Sequence, residues 1–391
     1  MRHNQIDGTA RQTALFRNGD GAGQVAMGRA VLRAVYAIVL VAIVAVAVFL
    51  LYRGWRQYQN AEALAIRTPN GIQETMFVPI GGIEQWIQIR GDDRSNPVLL
   101  FMHGGPGNSE SALSALFRPW EKYFTVVMWD QRCASKTFER NGAASCNGMS
   151  VNSVAKEGVQ LSQFLEKHLH HRKIIILGHS WGTMIGVQMI HDRPDLFSAY
   201  VGTGQAASVA EKEPIIYART MARLQAAHAD SDIARLKTVH PPYHSLDEIR
   251  VERDLSDEYD IPSERDLRTN LTTTVLFAPD WSPLDIYWFL NSGAYAENAT
   301  INDINRFNAH DLGPEIKVPF FIFNGAEDNI TPTVLARHYF DFVRAPHKKF
   351  VAFPGAGHSA VLTEPDVFLH ELVTRVRPIA IQNETGAALH G

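Results

Sequence analysis

The chain has 391 residues, 46% of them hydrophobic and 20% charged, with a formal net charge of −4. That length admits one large domain with an insertion, and the absence of a basic patch argues against nucleic-acid binding. There is no His-Glu-x-x-His spacing and no phosphate loop, so the sequence calls for no metal and no cofactor.

In chain order, residues 1–33 read as a flexible polar tail. Residues 34–52 follow as an apolar run bounded by Arg33 and Arg53. At 1.5 Å rise per residue, a run of about 18 residues crosses a bilayer core. A cleavable signal has a shorter apolar region and a nearby small-residue cleavage site. The nearest such triplet, Ala63-Leu64-Ala65, lies well beyond the run. We therefore expect a single membrane-spanning helix over 34–52 and a linker over 53–72. Arginines are nearly balanced on its two flanks, so the positive-inside rule decides little. The expected orientation places the large domain on the extracytoplasmic side.

Strand-like runs at 74–79 and 83–90 open a core whose first part is read as 73–207. The run 97–102 is a buried strand ending in His103-Gly104-Gly105-Pro106-Gly107. A glycine-rich loop here lets a substrate approach backbone N–H groups, and such donors stabilise an oxyanion. The run 124–129 leads into Trp129-Asp130-Gln131-Arg132. The only two cysteines, Cys133 and Cys146, follow in the next loop. A pair closing a short loop in an exported domain reads as a disulfide, with two free thiols as the alternative.

The apolar run 173–178 feeds into Gly178-His179-Ser180-Trp181-Gly182, and a helix-like run over 183–191 comes next. Strand, tight turn and helix in that order form a nucleophile elbow. The serine then sits in a strained turn for which Gly178 and Gly182 leave room. The competing reading is a buried serine that caps a helix. The expected oxyanion donors are the N–H of Trp181 and one from the loop, assigned to Gly105.

After a strand at 197–203 the alternation of strand and helix stops. Residues 208–312 read as a mainly helical cap. Over 208–311 it carries 18 acidic against 10 basic side chains, which attracts a cationic group or simply solvates the surface. Phe277, Trp281, Tyr287, Trp288, Phe289 and Tyr295 either line an apolar pocket or fill the cap's own core.

The second core part, 313–378, brings the strand 319–324 and then Glu327 and Asp328. A carboxylate at a strand's end orients a catalytic imidazole, and Asp328 is favoured over Glu327 by its place in the motif. A helix over 333–342 and a strand over 348–353 lead to Pro354-Gly355-Ala356-Gly357-His358, a loop that presents one histidine as base. Residues 379–391 read as a loose tail.

With these residues in place, the chain resembles the α/β-hydrolase family and, within it, the proline iminopeptidase (S33 peptidase) group. The resemblance rests on His103-Gly104-Gly105-Pro106-Gly107, Trp129-Asp130-Gln131-Arg132, Gly178-His179-Ser180-Trp181-Gly182, Asp328 and His358. The order Ser180, Asp328, His358 is that of α/β-hydrolases. It implies a mostly parallel central sheet flanked by helices, with an inserted helical cap, here preceded by one N-terminal transmembrane helix. The family usually continues Asp-Gln-Arg with glycine, a small residue and glycine; this chain has Cys133-Ala134-Ser135. The family's aminopeptidases place cap glutamates against the substrate's free amine, and the sequence does not single those residues out.

The expected function is a membrane-anchored serine hydrolase with a Ser180–His358–Asp328 triad and an acyl-enzyme. It would act as a proline iminopeptidase-like exopeptidase that releases an N-terminal proline or small apolar residue from short peptides, and its partners would be that substrate and the membrane. The alternatives are a carboxylesterase of small or lipid-like esters and a catalytically silent binding module. A buried cap carboxylate near Ser180 would favour the peptidase; a long apolar tunnel would favour the esterase.

Overall fold

The computed structural model describes residues 19–243 and 245–385. It contains two compact units, Met1–Gln59 and Asn60–Gly391.

The first unit is dominated by one helix, α1 (Gly19–Leu64). Among the described residues it alone is long and apolar enough to cross a membrane. Its apolar side chains are exposed, for example Ile38, Val41 and Leu51 at 60–75% of their surface. Two boundaries differ from the sequence reading. Residues 19–33, read as tail, and 53–64, read as linker, are helical. The apolar run marks only the stretch suited to lipid, whereas helix formers such as Ala, Gln, Arg and Glu carry the backbone hydrogen bonds on past it. Thr68-Pro69-Asn70-Gly71 then forms a turn, its Gly71 N–H bonding the Thr68 carbonyl. Residues 1–18 lie outside the description.

The second unit is built on eight strands: β1 (Ile72–Ile80), β2 (Ile83–Gly91), β3 (Val98–Met102), β4 (Thr125–Asp130), β5 (Ile174–His179), β6 (Phe197–Thr203), β7 (Phe320–Gly325) and β8 (Lys348–Phe353). Their order in the sheet is β1-β2-β4-β3-β5-β6-β7-β8. β2 runs antiparallel to β1 and β4, and the remaining pairings are parallel. Strands β3 to β7 are buried at every residue, which explains their unbroken apolar runs. The edge strands β1 and β8 mix buried and exposed positions.

The helices are α2 (Ser135–Asn141), α3 (Val151–Leu169), α4 (Trp181–Asp192), α5 (Val209–Ala226), α6 (Asp230–Leu236), α7 (Leu246–Glu258), α8 (Pro262–Leu276), α9 (Pro283–Ile304) and α10 (Thr333–Phe342), followed by shorter helical segments to Thr385. The pleat sends alternate strand residues into two cores. Leu100, Met102, Val127 and Ile176 pack under Leu161, Ile185 and Tyr339 of α3, α4 and α10. Leu99, Phe101, Val126 and Ile175 pack under Phe117, Trp120, Phe368 and Leu372. Residues 377–385, partly read as tail, are helical because Ala380 is buried in this second core.

Helices α5 to α9 interrupt the alternation between β6 and β7. The loops that follow β3, β5, β7 and β8 leave the carboxyl ends of parallel strands, so they gather on one edge of the sheet.

Candidate active site

Ser180 stands between β5 and α4 with φ 53°, in the left-handed region that ordinary side chains avoid. The turn is held by Ser180 N–H donating to the Thr203 carbonyl at 3.0 Å and Thr183 N–H donating to the Ser180 carbonyl at 2.8 Å. The flanking glycines are required by contact. A Cβ on Gly182 would lie 2.0 Å from the Met102 carbonyl oxygen, and one on Gly178 would lie 2.7 Å from that of Gly182. The elbow is thus pressed against the end of β3.

Asp328 is fully buried beyond β7. It accepts hydrogen bonds from the N–H groups of Ile330 (2.9 Å) and Thr331 (2.8 Å) and from the Thr331 hydroxyl (2.8 Å). His358 Nδ1 lies 3.1 Å from both Asp328 oxygens. Glu327 is exposed. A Cβ on Gly204 would lie 2.8 Å from the His358 ring, so glycine at φ +54° makes room for the imidazole. Burial pushes the Asp328 carboxyl up, but the charge of His358 and the hydrogen bonds outweigh it and hold the group below its ordinary 3.8. Burial likewise lowers the imidazole's pKa, yet the charge and hydrogen bond of Asp328, with Glu264 adding, raise it above 6.5.

The His-Gly-Gly loop and the residue after Ser180 are tied through one side chain. Gln131 Oε1 accepts from the Trp181 indole at 2.9 Å and Gln131 Nε2 donates to the His103 carbonyl at 3.4 Å, while the Gln131 backbone N–H donates to His103 Nε2 at 3.2 Å. His103 Nδ1–H in turn donates to the Gly104 carbonyl at 2.7 Å. Gly105 has φ +101°. Gly107 serves cap packing instead, since a Cβ there would meet Gly293 and Ala296 of α9 below 3 Å.

A disulfide joins Cys133 to Cys146, with Cα atoms 4.9 Å apart. Cys133 (φ 62°) and Ser135 (φ 39°) keep the left-handed backbone at the two positions where glycine was expected. The altered loop therefore preserves the turn at a conformational cost of about 1–2 kcal/mol per residue. The cross-link constrains this strained segment, as does Arg132, whose guanidinium bonds Glu157 and the Ser145 and Asn147 carbonyls. Removing the cross-link by Cys133→Ala with Cys146→Ala is expected to cost about 3 kcal/mol in denaturant unfolding. Cys133→Gly with Cys146→Ala should recover on the order of 1 kcal/mol, because glycine takes that φ without strain. Equal stability of the two pairs would refute the strain argument.

Three residues not singled out by sequence converge here. Glu110 Oε1 accepts from Gly104 N–H at 3.3 Å and lies 2.8 Å from His179 Nδ1. Glu264 of α8 is buried and accepts from Ser359 N–H at 2.7 Å, next to His358. Glu110 stood three residues past the glycine loop, which was a signal of sorts; Glu264 was one of many cap acids. A cavity of about 250 Å³ is lined by Ser180, His358, Gly105, Glu110, His179 and Glu264, among others. Of the six cap aromatics only Phe289 lines it. Trp281 packs edge-on against Phe289, and Trp288 packs on Phe138 at 4.6 Å.

A family model described as alpha/beta hydrolase fold matches residues 97–365. A probable aminopeptidase of Bacillus subtilis, YbaC, is 29% identical over 308 residues, covering 76% of this chain and 94% of the relative. A proline iminopeptidase of Lacticaseibacillus rhamnosus is 26% identical, covering 76% and 95%. Among solved structures, the proline iminopeptidase-related protein TTHA1809 of Thermus thermophilus superposes with a TM-score of 0.54 at 16% identity, covering 81% of this chain and all of that one.

Proposed function

The chain belongs to the alpha/beta hydrolase fold family, and on that premise we propose a serine aminopeptidase that releases the N-terminal residue of short peptides. Ser180 Oγ attacks the scissile carbonyl while His358 takes its proton. Asp328 holds the imidazole in the tautomer with the proton on Nδ1 and stabilises its charged form. The N–H groups of Gly105 and Trp181 receive the oxyanion, a contribution on the order of 3 kcal/mol each in the transition state. His358 then protonates the leaving amine, and water releases the acyl-enzyme with the same groups in reverse.

The observation that carries the peptidase reading over the esterase is Glu264. A buried cap carboxylate lines the same cavity as Ser180 and His358, where a substrate's cationic amine meets its charge. The names borne by the relatives point the same way. We place the protein at a membrane through residues 34–52, with the enzyme on the extracytoplasmic side. The Cys133–Cys146 disulfide supports that side, because such cross-links persist in oxidising compartments.

The test uses the full-length protein in detergent micelles, with free and N-acetylated aminoacyl arylamides and a short-chain aryl ester. Free-amine arylamides should be cleaved, and acetylation should lower kcat/KM by about 100-fold or more, because it leaves a buried carboxylate without its partner. Glu264→Gln should raise KM for the free-amine substrate about tenfold with a smaller change in kcat. Ester turnover without arylamide turnover would replace the peptidase reading by the esterase one.

A further inference from the structure

The cavity beside Ser180 has a polar side and an apolar side, and each restricts the substrate in its own way. On the polar side, Glu110 spends Oε1 on Gly104 N–H and His179 Nδ1–H. Its second oxygen, Oε2, is buried and has no hydrogen-bond partner. With Nδ1 turned to Glu110, the neutral tautomer of His179 offers Nε2 as an acceptor, and Nε2 too is buried and without a partner. Both side chains are more than nine-tenths buried and line the cavity. Glu264 supplies a third acceptor, since its Oε1 alone is engaged, by Ser359 N–H.

On the apolar side stand Leu113, Leu267, Leu271, Leu362 and Phe289. Leu267 and Leu271 follow Glu264 at three and seven residues along α8, so one helix face carries both the amine acceptor and the aliphatic wall.

From this geometry, and resting on the aminopeptidase reading above, we infer that the enzyme selects an N-terminal residue with a primary α-amine and an aliphatic side chain in preference to proline. A primary ammonium has three N–H donors and meets the three acceptors. The secondary ammonium of proline has two and leaves one buried acceptor unpaired. The leucine wall fits a branched aliphatic chain and offers no pair of aromatic faces to clasp a pyrrolidine ring. An unpaired buried acceptor corresponds to a loss of about 5- to 100-fold.

The experiment measures kcat/KM for leucyl, N-methyl-leucyl, alanyl and prolyl arylamides with the full-length protein in micelles. Leucyl should exceed prolyl by tenfold or more, and alanyl by about tenfold. N-methyl-leucyl keeps the side chain but has only two N–H donors, and it should fall at least fivefold below leucyl. In Glu110→Gln the leucyl-to-prolyl ratio should shrink, because removing an acceptor penalises the three-donor amine more. Cleavage of prolyl arylamide as fast as leucyl, or of N-methyl-leucyl as fast as leucyl, would overturn the inference and leave the aminopeptidase reading standing. Cleavage of the aryl ester with none of the four arylamides would overturn both.

Discussion

Ser180→Ala is expected to lower kcat by about 10⁶-fold, the scale seen when the nucleophile of a triad is removed. The structural reason is specific to the elbow. Ser180 is held at φ 53° by the Thr203 and Thr183 backbone bonds and by the glycines on either side. Alanine occupies that backbone with a Cβ of the same size, so the turn survives and only the attacking oxygen is lost. The unfolding transition of the variant should therefore lie within about 1 kcal/mol of the parent, since no buried contact is removed. A residual rate of 10³–10⁴-fold over water remains in such variants, owed to oxyanion donors and binding. Steady-state turnover of an arylamide, with circular dichroism as the fold control, checks this. Activity above a few per cent of the parent would show that Ser180 is not the nucleophile.

The second large effect is expected from Asp328→Asn, which should lower kcat by about 10⁴-fold while preserving shape. Asp328 accepts from Ile330 N–H, Thr331 N–H and the Thr331 hydroxyl as well as from His358. An asparagine keeps the oxygen that serves Ile330 and Thr331 but turns its amide toward the imidazole, which favours the wrong tautomer. The pH profile supplies a second readout. In the parent, Asp328 is the main influence raising His358 above 6.5. The imidazole acts as a base only when neutral, so kcat/KM should rise with pH through a midpoint above 6.5. In the variant the carboxylate charge is gone and burial, which lowers the imidazole pKa, is opposed only by Glu264. The acid limb should then move to lower pH. An unchanged midpoint would mean that Asp328 does not set the charge state of His358. The same pair affects folding in opposite directions. The contribution of Asp328, whose pKa is depressed, is lost as pH falls through it; that of His358, whose pKa is raised, is lost as pH rises through its folded value.

Much of the site was legible because its residues lie in short motifs bound to strand ends. Ser180 and His358 each follow a strand and sit among glycines, and Asp328 follows one. Each of these signals is local, carried by backbone geometry within about ten residues. The eight strand runs read from sequence correspond to β1 to β8, and in β3 to β7 burial on both faces leaves a continuous apolar stretch. The α1 boundaries were misread for a related reason: hydropathy reports the solvent suited to a segment, whereas the helix is set by propensity and ends only at a breaker.

What the sequence by itself determined was therefore the sheet, the tight turn at Ser180, the carboxylate and the imidazole placed after β7 and β8, and the apolar segment of α1. Tertiary structure alone decided which of the remaining polar groups face Ser180. Glu110 and His179 are 69 residues apart, and Glu264 and Ser359 are 95 apart. Nothing local distinguishes Glu264 from other cap acids, and α8 carries only a weak apolar stripe. Its side chain reaches the cavity because α8 packs down over the His358 loop, where a Cβ on Gly357 would lie 2.7 Å from Glu264. Similarly, the cap aromatics were distributed by packing, with Phe289 reaching the cavity and Trp288 turned to Phe138. Chemistry set by chain neighbours is written in sequence; chemistry set by the docking of an inserted layer appears only when the layers close, because the contacts that place it are spread over distant residues, each with little signal of its own.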